Sequence, residues 1–329
     1  MSAPPSSRRL RNRVHSQLAA LLSGGQLAAV PGAVRNYLDD RLTQQVAHEY
    51  RAQRPDAPTG GRAAIITAGV PGAGKSIALN AIATGYRRID PDDIKDILLA
   101  RLETTGRLDV HQHALADGKP VSPAELSGWV HTASTDAADR VRIMSMQVGE
   151  NFVMEGTLSW YKLPTSHVDE LALGDYERLT ILDIEVPRTV AVEQSKHRWW
   201  NGRQTGRTRY GVELGGRFIS ESALSGFYGG PRTASTCAAN ARKLYGNANK
   251  AGIQPEILII SRAANGAQYR AGLTPDGYVQ PWQNAPLGAV CIGCGAILKR
   301  PPSDPQKASD DRAPTSPHMV KFPTVGRRY

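Results

Sequence analysis

Cysteine is scarce: the 329 residues hold three, Cys237, Cys291 and Cys294. So few argue against a disulfide framework. Cys291-Ile292-Gly293-Cys294 has the spacing of half a zinc ribbon, but the second pair is missing, and structural zinc wants four protein ligands. No apolar run approaches the ~20 residues a membrane span needs, so no membrane partner is expected. The N-terminus has arginines but lacks the apolar stretch of a signal peptide, which leaves a cytoplasmic protein as the expectation. The N-K-x-D base-reading motif of GTPases is missing too.

Charge is one-sided, with a formal net of +10, which could favour a nucleic-acid partner. Most of the excess sits at the two ends, however. Arg8, Arg9, Arg11 and Arg13 have no acid beside them, and Lys299, Arg300, Lys307, Arg312, Lys321, Arg327 and Arg328 outnumber Asp304, Asp310 and Asp311 at the other terminus. Basic ends of this kind are usually solvated. No aromatic-and-basic recognition motif accompanies them, so nucleic acid is not expected as a partner.

What is present is a phosphate-loop sequence, Gly69-Val70-Pro71-Gly72-Ala73-Gly74-Lys75-Ser76, fitting G-x-x-x-x-G-K-[ST]. An apolar run, 63–68, precedes it and a Gly- and Pro-free segment, 75–84, follows. Strand, loop and helix start is the context in which backbone N–H groups gather around phosphate oxygens. Lys75 would reach the β- and γ-phosphates of ATP, and the Ser76 hydroxyl would be a ligand to Mg2+.

The remaining pattern alternates strands (86–90, 151–155, 179–186, 256–261) with helical segments (92–101, 130–148 and a start at Ser122-Pro123-Ala124-Glu125). It predicts an α/β fold: a doubly wound, parallel five-stranded sheet with helices on both faces. Helices over 8–23 and 33–53 form an N-terminal extension, read as extra packing on the core, as a cover over its nucleotide mouth, or as an interaction module. Expected boundaries are 1–58 for tail and extension, 59–272 for the core, and 273–329 for a Pro- and Gly-rich, flexible extension.

Ligands of such sheets lie at the carboxyl ends of the strands. Asp90, Asp92 and Asp93 follow the second strand, where Asp92 either takes a proton from an acceptor hydroxyl or caps the next helix. Glu155-Gly156-Thr157 follows the third, reading as a substrate contact or a plain turn. An arginine-dense, glycine-rich segment runs from Lys196 through Arg198, Arg203, Arg207 and Arg209 to Arg217. It is either a mobile lid with two arginines that neutralise a moving phosphoryl group, or a solvated basic loop or nucleic-acid clamp.

Together these pieces resemble the zeta-toxin family of toxin–antitoxin kinases, over roughly residues 62–270. The carrying segments are Gly69 to Ser76, Ile89-Asp90-Pro91-Asp92, Val153-Met154-Glu155-Gly156-Thr157, Val186-Pro187 with Arg198, Arg217-Phe218-Ile219-Ser220, and Ser261-Arg262-Ala263-Ala264-Asn265-Gly266. The resemblance implies a P-loop kinase-like fold, ATP and Mg2+ as cofactors, an antitoxin protein as partner, and a nucleotide-type acceptor. In the family that acceptor is typically the 3′-hydroxyl of UDP-N-acetylglucosamine; relatives acting on NAD are the alternative, and an RNA-end kinase or nucleic-acid-dependent ATPase a further one. It further implies Asp92 as base, Arg198 and Arg217 as catalytic arginines, Asp139, Glu155 and Thr157 as substrate contacts, and Arg262 beside the adenine. Two departures touch the acceptor side: Ser159 stands where the family usually has arginine, and Asp139 where it has glutamate.

Overall fold

The computed structural model describes residues 5–54, 57–108, 112–229, 234–262, 268–273 and 279–281. Its helices are α1 (Pro5–Ser23), α2 (Gly32–Tyr37), α3 (Asp40–Ala52), α4 (Lys75–Leu79), α5 (Pro91–Thr104), α6 (His131–Gln147), α7 (Leu163–Leu173), α8 (Arg188–Thr205), α9 (Glu221–Ser225) and α10 (Thr236–Lys250). Its strands are β1 (Ala63–Ala68), β2 (Arg87–Ile89), β3 (Phe152–Met154), β4 (Arg178–Glu185), β5 (Thr208–Arg209), β6 (Val212–Glu213), β7 (Gln254–Arg262), β8 (Gln268–Leu273) and β9 (Val279–Pro281). The chain divides into two compact units. The fold class is α/β, with two parallel strands in the first unit, three in the second, and helices around them.

The first unit comprises Met1–Gly61, Gly85–Glu155 and Val192–Ser225. Here β2 and β3 pair in parallel, Ile89 opposite Met154. Helices α3, α5 and α6 pack on one another. Val46 and Tyr50 of α3 and Ile94, Leu98 and Leu99 of α5 have no exposed surface. The helix expected over 33–53 is two helices. Asp39 is extended and its carboxylate accepts the Leu42 N–H at 2.7 Å, a cap that competes with helix continuation. The promising start at Ser122 yields a single 3-10 turn, Pro123–Leu126, because Ser127-Gly128 follow and the chain turns again before α6. A buried ion triad joins the parts: Arg87 donates to both Glu150 oxygens at 2.7 and 2.8 Å, and Arg51 does the same at 2.7 and 2.8 Å.

The arginine-dense segment departs most from expectation. Its first half is helix α8, whose inward stripe is Ala191, Ser195, Trp199, Gly202 and Arg203, too small and polar to register as an apolar period. Its glycines serve close packing: a Cβ on Gly216 would lie 2.0 Å from the Trp199 carbonyl oxygen, and one on Gly202 would lie 2.8 Å from Gly216 Cα. The rest is the β5–β6 hairpin, turning through Tyr210 and Gly211 at φ 52° and 75°, the paired left-handed residues of a tight hairpin.

The second unit comprises Arg62–Thr84, Gly156–Ala191 and Gly226–Tyr329. Strand β1 is buried along its whole length and pairs in parallel with β4, which pairs in parallel with β7. Strands β8 and β9 continue antiparallel and were not anticipated. Helix α10 packs on α7, β4 and β7, burying Cys237, Ala241, Leu244 and Ala248. The segment after the phosphate loop is helical only over Lys75–Leu79, not to residue 84; turns lead on to Gly85 at φ 80°. Cys291, Cys294 and nearly all of the 273–329 extension lie outside the described residues. Among the described residues, no helix is long and apolar enough to cross a membrane.

Candidate active site

In the second unit the phosphate loop takes the shape its glycines permit. Gly69, Gly72 and Gly74 have φ of 131°, 84° and 86°, where any other residue is strained. Gly69 also passes close to β4, so that a Cβ there would lie 2.4 Å from the Ile184 oxygen. Its N–H donates to the Thr157 carbonyl at 3.2 Å. Thr67 Oγ1 donates to the Gly156 oxygen at 3.0 Å and accepts the Gly156 N–H at 2.9 Å. Thr157 is thereby tied through its backbone to the loop's first residue. Lys75 Nζ donates to the Gly69 and Val70 carbonyls at 2.6 and 3.2 Å, so its ammonium lies on the loop. Arg262 donates to the Ala73 carbonyl at 3.3 Å; the family-like segment after it, 263–266, lies outside the described residues. With α4 so short, the loop's own N–H groups, rather than a long helix dipole, are what it offers to phosphate.

Sequence reading missed Asp183, one strand over and paired in register with Ala68. It has no exposed surface, and among the described residues neither carboxylate oxygen has a hydrogen-bond partner. Burial, then the nearby Glu185, pushes its carboxyl well above the usual range. Its only sequence signal is the apolar run Leu179-Thr180-Ile181-Leu182 that ends on it.

In the first unit, α5 opens beneath a carboxylate cluster. Asp90 is the cap: Oδ1 accepts the Asp92 N–H at 2.9 Å and Pro91 holds the first helical position. The capping role open to Asp92 therefore falls to Asp90. The Asp90 N–H donates to Tyr50 Oη at 2.9 Å, and that hydroxyl donates to the Arg88 carbonyl at 3.2 Å.

Asp92 projects among cations. Its Oδ1 lies 2.9 Å from Lys95 Nζ, its Oδ2 3.5 Å from Arg217, and its backbone oxygen accepts from Arg217 at 2.6 Å. Burial alone would raise this carboxyl, but Lys95, Arg217 and Arg198 outweigh it and hold Asp92 well below the ordinary carboxylate range. Burial pushes Asp90 up to about 7, with the charges of Asp92, Glu155 and Asp93 adding to it. Two carboxyls two residues apart are thus driven in opposite directions, the usual mark of divided roles.

Asp96 underlies the arrangement, and sequence reading missed it. Fully buried, it accepts Arg207 through both oxygens at 2.8 and 3.0 Å and Arg217 at 2.7 Å. Asp93 holds Arg209 at 3.2 Å and also pairs with Arg54. Arg203 is spent structurally, on Asp117 and Glu125. Arg198, exposed on α8, has no ion-pair partner among the described residues, although it feels Asp92 and Asp90.

The remaining acceptor-side residues have different surroundings. Glu155 is buried and accepts Arg88 at 2.8 and 2.5 Å. Thr157 Oγ1 and Ser159 Oγ are 2.9 Å apart. Asp139 pairs with Arg142 of its own helix at 3.0 Å and takes no part in the Asp92 network. His131, at the start of α6, sits in the field of Lys95 and Asp92; nothing in the sequence had marked it.

The Zeta toxin family profile matches residues 47–250, more than half of the chain. The chain belongs to this family. The match takes in the phosphate loop, the Asp92 cluster, Arg198 and Arg217; Arg262 lies beyond it. No curated protein matches. Among solved structures, one from the PezAT chromosomal toxin–antitoxin system of Streptococcus pneumoniae is similar at 14% identity and TM-score 0.45, over 70% of this chain and 81% of that one. An AvrRxo1-ORF1:AvrRxo1-ORF2 structure with sulphate ions is similar at 16% identity and TM-score 0.40, over 86% and 76%. Another, with ATP, is similar at 17% identity and TM-score 0.39, over 83% and 73%.

Proposed function

We propose that the chain is the toxin of a toxin–antitoxin pair and an ATP-dependent small-molecule kinase, moving the γ-phosphate of ATP to a hydroxyl of a nucleotide-type acceptor. UDP-N-acetylglucosamine, at its 3′-hydroxyl, is the first candidate, NAD the second. The observation that carries the reading is the Asp92 carboxylate, kept ionised by Lys95, Arg198 and Arg217 at the start of α5. An ionised carboxylate can accept the hydroxyl proton as the new P–O bond forms, and guanidinium groups offset charge on the moving phosphoryl. Arg217, braced on Asp96, needs no reorganisation to do so, which is what preorganised electrostatics requires. Arg198 supplies the unpaired second guanidinium.

On the donor side, residues 69–76 hold the phosphates, Lys75 exchanging its loop carbonyls for phosphate oxygens, with Arg262 beside the base. Mg2+ fits the donor set: Ser76 presents an exposed hydroxyl, and Asp183 is a buried carboxyl whose oxygens are unpartnered among the described residues. The ion would lessen the charge on the phosphates. Glu155, Thr157 and Asp139 are the acceptor contacts, Glu155 with Arg88 as its counter-ion. An antitoxin would keep the activity silent until it is lost.

The test combines one variant and one panel. Asp92→Ala should bind ATP normally yet lose both phosphotransfer and growth arrest; arrest at equal expression would refute the base assignment. Labelled ATP offered with sugar nucleotides and dinucleotides identifies the acceptor by which molecule takes up label. Turnover that depends steeply on salt and on added RNA would instead favour nucleic acid as the acceptor.

A further inference from the structure

Helix α1 is not peripheral. Val14 and Leu18 have no exposed surface, and Arg11, itself buried, reaches Glu193 of α8 at 2.8 Å. Between them in sequence stands His15, buried against two aromatic rings. Its ring centroid is 5.3 Å from that of Trp199, edge-on at 78°, and 4.7 Å from that of Phe218; Trp199 and Phe218 are themselves 5.6 Å apart. His15 Nε2 lies 3.3 Å from the Ile219 carbonyl, to which it donates. Trp199 directly follows Arg198, and Phe218 directly follows Arg217. One imidazole therefore touches the chain neighbours of both arginines assigned to the phosphoryl group. Burial, then Lys196, lowers His15 to about 4, so at neutral pH it is an uncharged wedge.

We propose that His15 is a positioning residue for phosphoryl transfer: wedged between Trp199 and Phe218, it sets the spacing of the two segments that present Arg198 and Arg217. The inference rests on the arginine roles proposed above. It makes α1 part of the transfer machinery rather than a detachable interaction module. Edge-on aromatic pairs hold direction as well as contact, and misplacing a charged group by about 1 Å can cost ~10²-fold in rate. Removing the imidazole leaves both guanidinium groups present but loosens their mutual placement.

The experiment uses the full chain, with labelled Mg·ATP and UDP-N-acetylglucosamine as probes and growth arrest as a readout independent of the acceptor. His15→Ala should lower kcat by about 10- to 10²-fold while leaving the KM for ATP unchanged. His15→Phe, which restores a ring but not the donor, should recover most of that loss. In an Arg217→Lys background, where the spacing is already spoiled, His15→Ala should cost little more, because residues acting as one unit are not additive. Two results overturn the inference: wild-type kcat in His15→Ala, even with a lowered melting temperature, or a full additive loss in the Arg217→Lys background. If Arg217→Ala itself keeps wild-type turnover, the arginine reading falls. If Arg217→Ala is inactive while His15→Ala is not, only the role of His15 falls.

Discussion

The phosphate loop and the α5 carboxylate cluster are built by opposite means. The loop is backbone: glycines in left-handed conformations, carbonyls turned onto Lys75, and one close approach to β4. The cluster is side chain: Asp92, Asp93 and Asp96 hold Arg54, Arg207, Arg209 and Arg217. Backbone-built geometry depends on what a residue lacks and side-chain-built geometry on what it carries. The two should therefore fail under different substitutions.

The largest effect belongs to the charged half. Arg217→Ala should reduce turnover by ~10³–10⁵, the range for an arginine that offsets transition-state charge, with ATP affinity, measured by calorimetry, little changed. Asp92→Asn should follow at ~10²–10⁴, the usual worth of a general base, again at unchanged ATP affinity. If either variant loses ATP binding instead, the division of labour is wrong.

Next comes stability. Burial works against the Glu150 charge, but Arg87 and Arg51 hold its carboxyl down at about 2. A depressed carboxylate contributes stability above its unfolded value near 4.5, and that contribution is lost as pH falls towards about 2. Urea midpoints should therefore drop across that window in the wild type and less so in Glu150→Gln. Glu150→Ala should cost about 3–5 kcal/mol at neutral pH, because it leaves a buried guanidinium uncompensated.

The backbone half is probed by Gly69→Ala. With φ at 131° and no room beside Ile184, the strain of ~1–3 kcal/mol should appear as weaker ATP binding, while a ring-shift or acid titration of the α5 cluster stays unaltered. The smallest effect is expected from Asp90→Asn, which can still cap α5. Below its value of about 7 Asp90 is neutral; above it, a second negative charge raises the basicity of Asp92. The wild-type rate should rise through that pH, and the variant's should not.

The same contrast explains what could be read without coordinates. The loop's spacing is its geometry, so residues 69–76 were recognisable from order alone, as were the buried strands β1, β4 and β7. Charge pairing is not written in local order. Asp96 looked like one acid among several in a helix, and Arg203 and Arg207 looked like members of a mobile lid. Which arginine is spent on structure depends on Asp117, Glu125 and Asp96, none of which adjoins it in sequence. Helix α8 was hidden for a related reason, since its inward face sets alanine, serine, glycine and arginine around a single tryptophan. The split of α2 from α3 was legible in principle from Asp39, whose capping chemistry was outweighed by an unbroken apolar spacing.

Gly216 leaves no space for even one methyl group against the carbonyl of Trp199. Every glycine codon becomes an alanine codon by one base change. If the product harms the cell that makes it, as proposed, escape from killing needs nothing subtler than a single added carbon, and codon 216 should recur when survivors of forced expression are sequenced.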